Sequence, residues 1–202
     1  MLPAMTRIGL WLFEDVEELD VVGPWEVLAS WAQGHPEDGV EVFTFARDPG
    51  PIRCRKGLRV LPDVVWADGE PPPGCDVVLV PGGEGNRPLI GRSWVREALG
   101  GWHAGGTLVT SVCSGALLLA DAGLLDGRAA TTHWSVSGDL ARMGVGIDVR
   151  AGERFVDAGD VVTSAGVSAG IDMALHLVAR LGSVDRAREV RREIQYDPAP
   201  PV

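Results

Sequence analysis

A continuous apolar run, Val77 to Val80, and a second segment that reads as a buried strand, Thr107 to Val112, each stop at a cluster of small or turn-forming residues, and each is followed by a segment of helical composition. A strand that reads as continuous apolar sequence has no solvent face, and such strands belong to parallel sheets covered by helices on both sides. The same alternation runs along the chain. Arg7 to Phe13 reads as a buried strand, and the acidic stretch Glu14 to Asp20 leads through Gly23-Pro24 to a helical pattern at Trp25, Leu28 and Trp31/Ala32. Val40 to Ala46 is another strand. After the break Asp48-Pro49-Gly50-Pro51, Leu58 to Val65 reads as a weaker extended or hairpin segment. Helices are predicted over Ser93 to Trp102, around Ala116 to Ala122, near Val136 to Met143, and over Ser168 to Arg180 and Ser183 to Gln195, the last opening on a capping Ser. Phe155-Val156 and Val161 to Thr163 flank a Gly/Asp turn and read as a hairpin. The tail from Tyr196 reads as extended and polyproline-like. The expected fold is α/β, a three-layer sandwich with a mostly parallel central sheet, whose ligand crevice lies outside the carboxyl ends of the strands.

A chain of 202 residues fits one domain, spanning 1–202. Its net charge of −10 sets up a field that repels phosphate backbones and anionic membrane surfaces, so nucleic acid and membrane are not expected partners. The opening MLPAMTRIGLWLF is too short in its apolar part for a signal sequence or a span, which makes the cytoplasm the expected location. Cys54, Cys75 and Cys113 are odd in number, widely separated and without a C-x-x-C pair. That argues against a disulfide framework and a structural metal site, and leaves room for a reactive thiol.

Cys113 is the candidate. It follows one buried strand and precedes a helix, in Ser111-Val112-Cys113-Ser114-Gly115, where a sharp strand-to-helix turn forms a nucleophile elbow and presents the sulfur. A helix terminus favours thiolate, and the Ser114 N–H can donate to a developing anion. Cys54 and Cys75 read as buried, inert thiols. Pro81-Gly82-Gly83-Glu84-Gly85 ends the preceding strand at the same sheet edge, so Gly83 could complete an oxyanion hole, although a plain tight turn fits the same residues. Asp20 is delivered to this edge as well. A carboxyl beside a thiolate has a raised pKa and can shuttle protons; the alternatives are a helix N-cap without chemistry, or Glu17 or Glu18 in that role. His133, in Thr131-Thr132-His133-Trp134, either lines the crevice or is structural. His176 reads as core, and His35 and His103 fall near loops with no tie to the crevice.

Together and in this order, ELDVVGPWEVLASW, VPGGEG, TSVCSGALLLADAGLLDGRAATTHW, TSAGVSAGIDMALHLVA and QYDPAPP resemble the ThiJ/PfpI superfamily, which shares its elbow with the class I glutamine amidotransferases. Within it they look most like the isocyanide hydratase branch and the regulator-associated domains near it. The resemblance implies a flavodoxin-like sandwich, a homodimer, no cofactor, a small-molecule substrate, Cys113 as nucleophile, and Asp20 where many members place a protonated Glu. A peptidase of the superfamily carries His directly after its Cys, and an amidotransferase carries H-x-E near its end; position 114 is Ser, and the C-terminal region has no such motif. The implied activity is hydration of an organic isocyanide to an N-substituted formamide through a covalent thioimidate. The alternatives are a small-molecule or oxidation-sensing domain and a glyoxalase or deglycase.

Overall fold

The computed structural model describes residues 5–67 and 72–198, so most of the predicted polyproline-like tail lies outside the described residues. In chain order the elements are β1 (Thr6–Trp11), α1 (Glu18–Gly34), β2 (Val40–Ala46), β3 (Ile52–Arg53), β4 (Arg59–Val60), β5 (Val64–Val65), β6 (Val77–Val80) and α2 (Ser93–Ala104). They continue with β7 (Leu108–Val112), α3 (Gly115–Asp121), β8 (Ala129–Ala130), α4 (Ser137–Met143), β9 (Asp148–Val149), β10 (Phe155–Asp157), β11 (Val161–Ser164), α5 (Ala169–Leu181) and α6 (Val184–Glu193).

Seven strands form the main sheet in the order β10-β11-β7-β6-β1-β2-β5. Every pairing in it is parallel except the β10–β11 hairpin at one edge. The central strands β6 and β7 are buried at every residue, which is why they carry no polar alternation. Helices α1, α5 and α6 pack on one another over one face, while α2, α3 and α4 cover the other. Helix α2 shows the reason locally: Val95, Ala98, Leu99 and Trp102 recur at helical spacing and are all buried. Ser183 caps α6 by accepting from the Arg186 N–H at 3.0 Å.

Two readings from sequence need correction. Helix α1 starts at Glu18, so Asp20 is helical and Gly23-Pro24 lies inside the helix rather than before it. Tertiary packing decides this, because the buried stripe Val21, Pro24, Val27, Leu28 and Trp31 lies against the α5 and β2 side of the sheet. That burial outweighs the roughly 3 kcal/mol penalty of an interior proline. His176 is not core: it stacks on Phe155 at 4.6 Å between ring centroids, and its Nε2 meets Asp157 Oδ2 at 2.7 Å. Most of the tryptophans fill the interior. Trp11, Trp66, Trp94 and Trp102 cluster with Phe45, with Trp11 at the centre, and Trp31 is fully buried. Only Trp134 stands well exposed, at 78%.

Candidate active site

Cys113 is the residue after β7 and Gly115 opens α3, so two residues reverse the chain. The Cys113 φ of 58° is left-handed, a conformation that costs an L residue roughly 1–2 kcal/mol. Neighbours hold it there. Its N–H donates to the Ser164 carbonyl at 3.1 Å, and its carbonyl accepts from Thr132 Oγ1 at 2.7 Å. Such a turn also demands a bare α-carbon behind it: a Cβ on Gly115 would sit 2.2 Å from the Val80 carbonyl oxygen.

Asp20 reaches the same place by a different route. The segment entering α1 is stitched to the loop after β6: Val16 bridges Gly83, and the Glu17 N–H donates to the Gly82 carbonyl at 2.9 Å. In return the Gly82 N–H donates to Asp20 Oδ2 at 2.9 Å. The Asp20 carboxyl is completely buried, and its Oδ1 has no N–H or O–H partner among the described residues. The carboxyl's other polar neighbour is the Cys113 thiol.

Burial is the main influence on both groups. It pushes the Asp20 carboxyl up to about 7, against the opposing Gly82 N–H. It also pushes the Cys113 thiol up to about 12, with the Asp20 charge adding to the rise and the Ser114 N–H and hydroxyl opposing it. The expectation of an exposed, low-pKa thiol is therefore corrected: Cys113 is 8% exposed, and the desolvation of its sulfur outweighs the favourable turn. Two like charges in this buried spot repel, so the pair retains a proton near neutral pH.

The other carboxylates are occupied. Glu17 is paired with Lys56 and lies 3.9 Å from Arg55, and Glu18 Oε1 accepts from the Lys56 N–H at 2.6 Å. These contacts come from the turn of the β3–β4 hairpin, folded over the start of α1. In front of Cys113 lies a cavity of about 430 Å³ whose walls include Ser114 and His133 and the apolar side chains Ile90, Leu117, Val136 and Met143. His133 thus lines the crevice while also serving the backbone, since its Nδ1 accepts from the Ser135 N–H at 3.3 Å. Gly83 does not offer a free oxyanion donor. Its N–H is directed to Ser114 Oγ at 3.2 Å, because the Val16 bridge sets the orientation of its peptide. Among the described residues no His, Cys, Asp and Glu cluster has metal-binding geometry, and no helix is long and apolar enough to cross a membrane.

Residues 6–180 match the model of the DJ-1/PfpI family. The chain belongs to this family. A similar relative is the isonitrile hydratase of Pseudomonas putida, 39% identical over 195 residues that cover 96% of this chain and 80% of that protein. The glutathione-independent glyoxalase DJR-1.2 of Caenorhabditis elegans is 25% identical over 90% of this chain and 91% of its own. Among solved structures, a ThiJ/PfpI family protein from Pseudomonas syringae superposes with a TM-score of 0.85 at 30% identity, covering 100% of this chain and 80% of that one. The flavodoxin-like sandwich expected of a DJ-1/PfpI chain is therefore the fold observed.

Sequence reasoning missed three parts of this DJ-1/PfpI site. Thr132, which holds the Cys113 carbonyl, is adjacent to His133 but carried no chemical signal of its own. The Arg55-Lys56 turn is remote in sequence from Glu17. Asn86 is 1% exposed and donates through Nδ2 to Ser114 Oγ at 2.8 Å. The glycine-rich PGGEGN stretch gave no hint that its last residue points back at the turn after β7.

Proposed function

We propose that this DJ-1/PfpI chain hydrates an organic isocyanide to an N-substituted formamide, with Cys113 as nucleophile and Asp20 as proton shuttle. The observation that carries the reading is a fully buried carboxyl, raised to about 7, set against a cavity-lining thiol. The similarity to an isonitrile hydratase supports it. The thiol passes its proton to Asp20, and the sulfur attacks the terminal isocyanide carbon to form a C–S bond. Asp20 returns the proton to that carbon, giving a thioimidate. Asp20, again a carboxylate, takes a proton from the water that adds to the same carbon. Asp20 passes that proton to the nitrogen, the C–S bond breaks as the hydroxyl on carbon becomes the carbonyl, and the hydroxyl proton returns to the Cys113–Asp20 pair. One isocyanide and one water give one formamide, and the apolar cavity wall suits an alkyl or aryl substituent.

The test is formamide production, followed chromatographically with several alkyl and aryl isocyanides. Turnover is expected with at least one of them and not with Cys113→Ala. No turnover with any, together with turnover of a 2-oxoaldehyde, would move the assignment to the glyoxalase reading. A ligand sensor of cytoplasmic small molecules would bind without turning over either.

The active protein is a homodimer in this reading. Support comes from apolar surface beside the site: Leu19 and Val22 share the outer face of α1, and Leu58 lies on the hairpin pinned to that helix, all at 39–47% exposure. Sedimentation at low micromolar concentration should give a species of twice the chain mass. A fully active monomer would show that one chain completes the site.

A further inference from the structure

Ser114 occupies the N-cap position of α3, yet its side chain caps nothing there. Serine at this position ordinarily accepts from the N–H of the second or third helical residue. Here the oxygen is engaged from the other side, accepting from the Gly83 N–H at 3.2 Å and from Asn86 Nδ2 at 2.8 Å. A hydroxyl has two acceptor lone pairs and one donor hydrogen. With both acceptor positions filled by N–H groups, the hydrogen has to be donated elsewhere, and the sulfur of the adjacent Cys113, which lines the same cavity, is available to accept it.

We propose that Asn86 is a positioning residue: by donating to Ser114 Oγ it forces the Ser114 hydroxyl to donate to the Cys113 sulfur and so raises the reactivity of the buried thiol. The inference rests on Cys113 being the nucleophile and holds for any electrophile the sulfur attacks. Three features make the arrangement specific. Asn86 is almost completely buried, so its amide cannot exchange this partner for bulk water. Its backbone is fixed in a short 3-10 turn, where its N–H meets the Gly83 carbonyl at 3.4 Å and its carbonyl accepts from the Ile90 N–H at 3.2 Å. Gly83, the second donor, is held by the bridge to Val16. The loop after β6 therefore acts on the nucleophile through Ser114, by consuming its lone pairs, and not through a free oxyanion donor.

Iodoacetamide alkylation of Cys113, followed by peptide mapping from pH 6 to 10, tests this without any isocyanide. A hydrogen bond to a thiolate is expected to change the rate at a given sub-saturating pH by about tenfold. Ser114→Ala and Asn86→Ala should each slow Cys113 labelling by that factor and move the pH profile to higher pH, with Cys54 and Cys75 labelling unchanged. Because Asn86 acts through Ser114, adding Asn86→Ala to Ser114→Ala should produce no further change, and Ser114→Thr should restore the wild-type profile. Asn86→Asp keeps the shape and, once ionised, can only accept, so at the alkaline end of the range it turns the hydroxyl toward itself and should slow labelling at least as much as Asn86→Ala. A wild-type profile in Asn86→Asp would show that residue 86 accepts from Ser114, and would overturn the proposal. So would additive effects of the two alanines. Cys113 that fails to label in the wild-type protein at any pH overturns the nucleophile itself, a result distinct from normal labelling that the Asn86 variants leave unchanged.

Discussion

Asp20→Asn is expected to lose isocyanide turnover by a factor on the order of 10²–10⁴ and, at the same time, to become more stable than the wild type at alkaline pH. The amide has the volume of the carboxyl and can keep the Gly82 N–H bond through its oxygen, but it cannot carry a proton between sulfur and carbon. The stability half follows from the sign of the pKa change. The folded value of about 7 lies above the ordinary 3.8, so between them the folded chain retains a proton that the unfolded chain has released. Stability therefore falls as pH rises through that window, by up to ~4 kcal/mol for about three pH units, and the loss is complete above the folded pKa. Asparagine does not ionise and escapes the penalty. Thermal melts of both proteins at pH 5 and pH 8.5, beside the formamide assay, measure the two effects: the wild-type Tm should drop between the two pH values by more than the variant's. Equal pH dependence would place the proton elsewhere, and undiminished turnover would pass the shuttle to Glu17 or to water.

Gly115→Ala should be strongly destabilising. The added methyl would lie 2.2 Å from the Val80 carbonyl oxygen and 2.8 Å from that of Pro81, both backbone atoms at the end of a central strand. Neither can yield without moving α3 away from β6, which would displace Cys113 with it. A loss of about 3 kcal/mol or more is expected, equivalent to a fall in Tm of roughly 6–12 °C for a chain of this size. Gly101→Ala is the control, since a Cβ there meets nothing within 4 Å and replaces glycine inside α2. It should leave Tm unchanged or slightly raised. A Gly115→Ala protein that melts with the wild type would show that the strand-to-helix turn is looser than its contacts imply.

The parallel sheet was legible in the chain because β6 is an uninterrupted apolar run and β2 is rich in β-branched and aromatic residues, and their predicted bounds, Val77 to Val80 and Val40 to Ala46, are those observed. Helix α1 was misread at its start for the opposite reason. Acidic residues followed by Gly23-Pro24 are local signals for a loop, and the buried stripe that overrides them exists only once α5 is packed against it. Cys113 could be singled out because a small-residue turn between strand and helix is a local event, written in five consecutive residues.

What surrounds that cysteine was not local. By itself the sequence determined the layering of the sheet, the placement of Cys113 at a strand's carboxyl end, and the delivery of Asp20 and Gly83 to the same edge, because each follows from apolar period and turn chemistry over a few residues; it left open whether His133 lines the crevice, which the structure shows it does. Tertiary structure alone decided the electrostatic state of the site. The thiol is raised instead of lowered because desolvation depends on everything packed around the sulfur. The Gly83 N–H serves Ser114 instead of a substrate because the Val16 bridge turns its peptide. Glu17 is neutralised by a lysine 39 positions away, and Asn86 reaches Ser114 across 28, separations at which sequence carries no distance information and only the folded chain brings the charges and donors together.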